Sequence, residues 1–243
     1  MIKNIWRWIK KISIWLFVSS FLYLLICKWV MPPITITQID NSFSYGLHRD
    51  YVSGNQISRN AKLAAIASED QAFPDHIGFD WDAIEKSLKP KKGKKQKLPL
   101  GAAASTITQQ TAKNIFLWQG SGIMKYIRKI PEVYFTLMIE LVWGKKRILE
   151  VYLNTIEMGP GVFGIEAAAQ KYFGKAASQL SRQEAAMIIA CLPNPKKFSV
   201  KPMSNRVGWR YPQILQQMHN IEDDPDIALL LSLIHISEPT RPY

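Results

Sequence analysis

Cysteine is scarce in this sequence: two residues, Cys27 and Cys191, among 243. Two cysteines make no disulfide framework. Cys27 falls in an apolar run, and Cys191 in the apolar stretch Ala185–Leu192 reads as a small buried hydrophobe. Acidic residues are also in deficit, 19 against 31 lysines and arginines, for a formal net charge of +12. That excess favours anionic partners, namely nucleic acid, lipid headgroups or phosphorylated substrates, without choosing among them. Alternating strand patterns are few, and no internal repeat is visible, which argues against an all-β or solenoid architecture. With 47% hydrophobic and 21% charged residues, disorder is excluded as well.

One long apolar run is present. Ile12–Met31, ISIWLFVSSFLYLLICKWVM, is about the length that crosses a bilayer as a helix. Lys28 lies near one end, where its ammonium can reach the interface, and Trp15, Tyr23 and Trp29 suit interfacial depths. Lys3, Arg7, Lys10 and Lys11 precede the run and are expected to stay cytoplasmic. No small-x-small site follows the run before Met31-Pro32-Pro33, so an uncleaved anchor is expected rather than a signal peptide. The remaining roughly 200 residues suffice for one domain with its own core. The expected organisation is a basic cytoplasmic N-terminus over 1–11, an anchor over 12–31, a linker with short strands over 32–56 and a catalytic domain over 57–230. The end, 231–243, contains LSLIHISEPTR. This stretch is similar to a translated sequencing adapter and is set aside as non-native.

Helix signals dominate the rest. Asn60 is a candidate cap for a helix over Ala61–Asp70. Thr106 with Gln109, and Ser181 with Glu184, form capping boxes opening helices over Ile107–Leu117 and Gln183–Leu192. Pro131 fits the first turn of a helix through Glu132–Trp143. Lys145–Ile156 places Ile148, Leu149, Tyr152 and Leu153 on one face, and Arg206–Met218 is a last helix. Ile34–Ile36 and Tyr51–Val52 are strand candidates. Lys89–Lys97, KPKKGKKQK, reads as a basic loop able to touch anionic headgroups.

Four blocks carry chemistry. In Glu69-Asp70-Gln71-Ala72-Phe73-Pro74-Asp75-His76-Ile77-Gly78, two carboxylates close a helix, where the macrodipole disfavours negative charge and so favours taking up a proton. In Ser105-Thr106-Ile107-Thr108-Gln109-Gln110-Thr111-Ala112-Lys113-Asn114, Thr106, Gln110 and Lys113 share a face. A helix N-terminus with a lysine further along can receive phosphate oxygens. Arg128-Lys129-Ile130-Pro131-Glu132, with Glu140 further along the helix, sets two cations beside a carboxylate, suited to a pyrophosphate with or without a divalent metal. The block from Lys146 through Asn154, with the glycines and alanines of 159–169, reads as architecture. Taken singly, each block also fits a solvated surface or a structural role.

In this order the blocks resemble the family 51 glycosyltransferases, the monofunctional peptidoglycan glycosyltransferases and the matching domain of bifunctional penicillin-binding proteins. The resemblance covers roughly Ile57 to Gln217. It rests above all on ED-x-x-F-x-x-H-x-G and STITQQ-x-A-K-N, with RK-x-x-E, ILE-x-YLN and YFGK at Tyr172–Lys175 in register. It implies a mainly α, lysozyme-like helical fold with a smaller membrane-facing lobe. Glu69 then corresponds to the catalytic general base and Glu132 to the second essential glutamate and tentative metal ligand. Asp70, Phe73, His76, Ser105, Thr106, Gln109, Gln110, Lys113, Asn114, Arg128 and Lys129 match substrate-binding positions.

The same resemblance implies lipid II and the lipid-linked glycan strand as substrates, and Mg²⁺ or Mn²⁺ assistance without an organic cofactor. Membrane lipids and other cell-wall synthesis proteins are the expected partners, and nucleic acid is not. The expected location is the bacterial cytoplasmic membrane, single-pass, with the catalytic domain outside. Two departures stand out: Ala103 where the family has glycine, and Pro131 inside RK-x-x-E. No Ser-x-x-Lys occurs, so a transpeptidase is not expected. A lysozyme-like lytic enzyme and an inactive membrane-anchored scaffold are the alternatives.

Overall fold

Capping chemistry sets most helix starts in the computed structural model, which describes residues 2–88, 105–120 and 122–232. In chain order the elements are α1 (Ile2–Cys27), α2 (Ile36–Tyr45), β1 (His48–Arg49), α3 (Arg59–Glu69), α4 (Trp81–Leu88), α5 (Ile107–Phe116), α6 (Met124–Ile127) and α7 (Lys129–Val142). They continue with α8 (Lys145–Thr155), β2 (Glu157–Gly159), β3 (Val162–Phe163), α9 (Ile165–Phe173), α10 (Arg182–Ile189), α11 (Asn205–Ile221) and α12 (Pro225–Leu231). The expected mainly helical class is met.

Thr106–Gln109 and Ser181–Glu184 are capping boxes, each hydroxyl accepting the third backbone N–H while the third side chain returns to the cap N–H. α3 starts after Ser58 rather than Asn60. The Ser58 hydroxyl accepts from Ala61 N at 3.1 Å, while Asn60 Nδ2 donates to Leu180 O at 3.0 Å. α7 begins at Lys129, so Pro131 falls in its first turn, where a backbone N–H has no intrahelical acceptor.

The stretch read as a linker with short strands departs from that reading. A third capping box, Thr35 with Gln38, opens α2 where Ile34–Ile36 was expected extended. The strand nearby is His48–Arg49, not Tyr51–Val52, and it pairs parallel with β3; β2 pairs antiparallel on β3's other side. The apolar helix also ends at Cys27 rather than Met31. The basic loop at 89–97 and Ala103 lie outside the described residues, as does the tail apart from Leu231 and Ser232.

The chain divides into two compact units. The first comprises Met1–Leu47 and His76–Ile156, the second His48–Asp75 and Glu157–Tyr243. In the first, α5 packs against α7 and α8, α2 lies on α5, and α1 lies on α7. Its core holds Ile107, Ile139, Trp143, Ile148, Tyr152 and Leu153, all wholly buried. α1 is the one helix among the described residues long and apolar enough to cross a membrane. The same unit leaves Ile123, Ile130 and Leu141 about three-quarters exposed (75%, 79% and 74%), apolar side chains that water does not favour.

In the second unit α3 packs against α10 and α11. The α3 face is Ala61, Ala64, Ala65 and Ala67 with Leu63 and Ile66, and α10 answers with Ala185, Ala186, Ile188 and Ile189, all buried. Small residues on facing helices let the axes approach closely. Ala64→Leu is therefore expected to overpack this contact and cost about 1–3 kcal/mol. Urea titration of the purified protein checks this, and an unchanged midpoint would show the contact to be loose.

Candidate active site

The second of the four blocks forms the N-terminus of α5. Thr106 accepts from Gln109 N at 3.1 Å, Gln109 Oε1 accepts from Thr106 N at 3.0 Å, and the Thr106 hydroxyl donates to Gly78 O at 2.6 Å. Both side chains are buried and committed to the cap and the turn before it. They therefore build the helix end. Gln110, half-buried, accepts from Tyr152 Oη at 3.3 Å and donates to Ser105 O at 3.4 Å. Lys113 is half-buried one turn on, as the shared face of Thr106, Gln110 and Lys113 requires, and Asn114 beside it is buried.

Arg128 and Lys129 lead into α7 and meet Glu132 one turn on. Lys129 Nζ lies 2.5 Å from Glu132 Oε1, and Arg128 Nε lies 3.5 Å from Oε2. Arg128 also donates to Trp118 O at 2.9 Å. Glu132 is 3% exposed and Arg128 6%, whereas the Lys129 side chain is 31% exposed. The carboxylate therefore holds two cations on one wall, with the lysine able to swing outward.

Glu140, noted in the sequence further along the helix, turns out to be the hub of a second network whose partners sequence reading did not pair with it. Glu140 Oε1 accepts from the Thr108 hydroxyl at 2.6 Å and from Lys145 Nζ at 2.7 Å, and Lys145 also donates to His76 O at 2.5 Å. Together with the bond from Thr106 to Gly78 O, it ties the His76–Gly78 turn to α5, α7 and α8. Gly78 has φ +76°, and a Cβ there would meet Thr136 Cγ2 at 2.7 Å, so the glycine of the first block is required twice over. The available signal was weak: Glu140 one face along from Glu132, and a lysine opening the next helix.

In the second unit, Glu69 is the last residue of α3 and half-buried, with the Ser68 hydroxyl 3.3 Å from Oε1. Asp70 caps the helix, its N–H bonded to Ile66 O at 3.0 Å. Phe73 is wholly buried. His76 belongs to the first unit. Glu69 also has charged company on α11 that sequence reading did not single out. Burial pulls the Arg210 guanidinium below its ordinary value, Glu69 opposes that, and Arg206 adds to it. The Cys191 thiol is pushed up to about 12, chiefly by burial, with Glu157 and Glu69 adding to the rise.

The carboxylate expected to hold a divalent ion has Oε1 on Lys129 and a buried Oε2 that accepts no hydrogen bond. Among the described residues no three His, Cys, Asp or Glu side chains gather, and Glu132 already sits between two cations. A magnesium-sized ion on Glu132 would take its other oxygens from substrate and water.

Comparison with known proteins settles the kinship. The family model described as Transglycosylase matches residues 36–219. The chain belongs to the transglycosylase family. As a transglycosylase it is a glycosyltransferase enzyme with the lysozyme-like helical fold class of that domain. The match begins at the first residue of α2. A Biosynthetic peptidoglycan transglycosylase of Escherichia coli (strain ATCC 8739) is 50% identical over 187 residues, 77% of this chain and 75% of that one. One from Bdellovibrio bacteriovorus is 44% identical over 219 residues, 87% of this chain and 85% of the relative. A third, from Shewanella oneidensis, is 41% identical over 226 residues, covering 90% and 94%.

Proposed function

We propose that this transglycosylase polymerises peptidoglycan glycan strands from lipid II at the outer face of the cytoplasmic membrane. The observation that carries the reading is the Arg128–Glu132–Lys129 cluster, its carboxylate and guanidinium buried, in a unit that also contains α5 with its lysine and the apolar helix α1. Cations steadied by a buried carboxylate suit a substrate whose leaving group is a pyrophosphate. A membrane helix suits substrates that carry polyprenyl tails, because tethering keeps enzyme and lipid at one depth. Exposed Ile123, Ile130 and Leu141 support a bilayer-facing surface on this unit. Lys3, Arg7, Lys10 and Lys11 support a cytoplasmic N-terminus.

In the proposed reaction, Glu69 accepts the proton of the lipid II 4-hydroxyl as that oxygen attacks C1 of the donor sugar. The bond from C1 to the lipid pyrophosphate breaks, its electron pair leaves on the phosphate oxygen, and the α-linked donor becomes a β-1,4 link. Lys113, Arg128 and Lys129 balance the charge that develops on the leaving group. Glu132 orients the two cations and keeps them from collapsing onto other acceptors. No protein nucleophile takes part. Lys113, in the last turn of α5, provides the first anchor for phosphate oxygens.

Incubating the full-length enzyme in membranes with purified lipid II, and separately with finished glycan, tests this. Polymer from lipid II and no cleavage of finished glycan is expected. Cleavage without polymerisation would replace the reading by a lytic one, and neither product would point to the scaffold.

A further inference from the structure

α1 presents an accounting problem at its end. The last four carbonyls of a helix have no intrahelical partner, and those of α1 belong to Leu24, Leu25, Ile26 and Cys27. The backbone solves two of them. Lys28 N donates to Leu25 O, and Trp29 N and Val30 N donate to Ile26 O. The other two are taken by side chains from elsewhere in the first unit. The Trp143 indole N–H donates to Leu24 O at 2.9 Å. Arg147 donates to Cys27 O from Nε at 3.2 Å and from Nη2 at 2.9 Å, and reaches Val30 O at 3.0 Å. Glu150 holds the remaining edge of the guanidinium, 2.9 Å from Nη1.

The packing agrees with the bonding. Trp143, Leu24 and Cys27 are at most 1% exposed, while most of α1 before them is open. Tyr23 meets Phe116 edge-on at 5.7 Å, Phe17 lies 5.9 Å from Tyr134, and Ser20 Oγ is 3.2 Å from Tyr134 Oη. A cation at a helix C-terminus is further favoured by the macrodipole. The bonds are also worth most at membrane depth, where water cannot replace them. A flexible tether would show none of this.

We propose that Trp143 and Arg147 form a latch that locks the end of the membrane helix to α7 and α8, so that α1 sets the height of the first unit on the bilayer. They are positioning residues for the reaction, and this role rests on the reading of the chain as an enzyme of membrane-held substrates. Arg147 is the specific element, because its planar fork reaches two carbonyls and Glu150 together; a lysine in its place satisfies only one.

The test uses the full chain with Trp143→Phe, Arg147→Met and Arg147→Lys, in nanodiscs and in detergent micelles. Hydrogen exchange of the Lys28, Trp29 and Val30 amides in nanodiscs reads the latch directly. Those amides are expected to exchange at least about tenfold faster in Arg147→Met. Glycan polymerisation reads the consequence. Misplacement far from the chemistry can cost about 10²-fold, so Arg147→Met should lose tenfold or more in nanodiscs. In micelles, which impose no fixed height, its rate should stay within about threefold of the parent, and Arg147→Lys should fall between.

Unchanged exchange, or equal losses in nanodiscs and micelles, would overturn the proposal, the latter marking local structural damage. If the parent enzyme makes no polymer, the functional reading fails while the exchange measurement still decides whether the latch exists.

Discussion

Glu69→Gln is expected to fold normally and to polymerise lipid II about 10²–10⁴-fold more slowly than the parent chain, the usual worth of a general base. The carboxamide keeps the shape of the side chain and its position at the end of α3, where Glu69 is half-buried and not part of the apolar core. It can still accept from the Ser68 hydroxyl, which lies 3.3 Å from Oε1. Its oxygen cannot take up a proton, and the negative charge is removed with that capacity. Matching thermal unfolding together with near-normal turnover from purified lipid II would show that the base is another group. Arg210 faces the same carboxylate electrostatically, so the comparison is best made at low and moderate salt.

A different outcome is expected for Glu132→Ala, which should damage folding before it damages catalysis. Its carboxylate is 3% exposed and compensates Arg128, itself 6% exposed, together with Lys129. Removing one partner of a buried pair leaves the other charge without compensation, which costs about 3–5 kcal/mol. Lys129→Met removes the outer partner, whose side chain is 31% exposed. It should cost no more than about 1 kcal/mol, because that ion pair is screened by water. Lys129→Met should nevertheless slow polymerisation, since its charge lies where the pyrophosphate is proposed to leave. Urea unfolding of both variants separates the effects. Equal stability losses would mean that the lysine, and not the arginine, anchors the cluster.

Much of this was legible in the sequence, and the reasons are local. Thr106 with Gln109 and Ser181 with Glu184 write their helix starts within four residues, because a capping box needs no tertiary partner. Thr35 with Gln38 writes a third in the same terms, and it outweighs the local strand preference of β-branched Ile34 and Ile36 around it. The charged cluster of α7 was visible because Arg128, Lys129 and Glu132 are sequence neighbours.

What escaped depends on residues far apart in the chain. Lys145 reaches His76 O across 69 positions and Arg147 reaches Cys27 O across 120, and no periodicity announces either. Thr106 and Gln109, matched as binding positions, also close the helix cap with their side chains. A motif marks which residues matter without separating those that touch a substrate from those that shape the backbone around it.

The alanine face of α3 has a mechanical corollary. Eleven residues of helix extend about 16 Å, with the carboxylate of Glu69 at the far tip. Pivoting such a rod by roughly 4° about its other end displaces the tip by about 1 Å, a distance that proximity-dependent chemistry registers strongly. Bulk added along that smooth contact would therefore be read out as lost turnover, well away from the substitution, as well as in the melting curve.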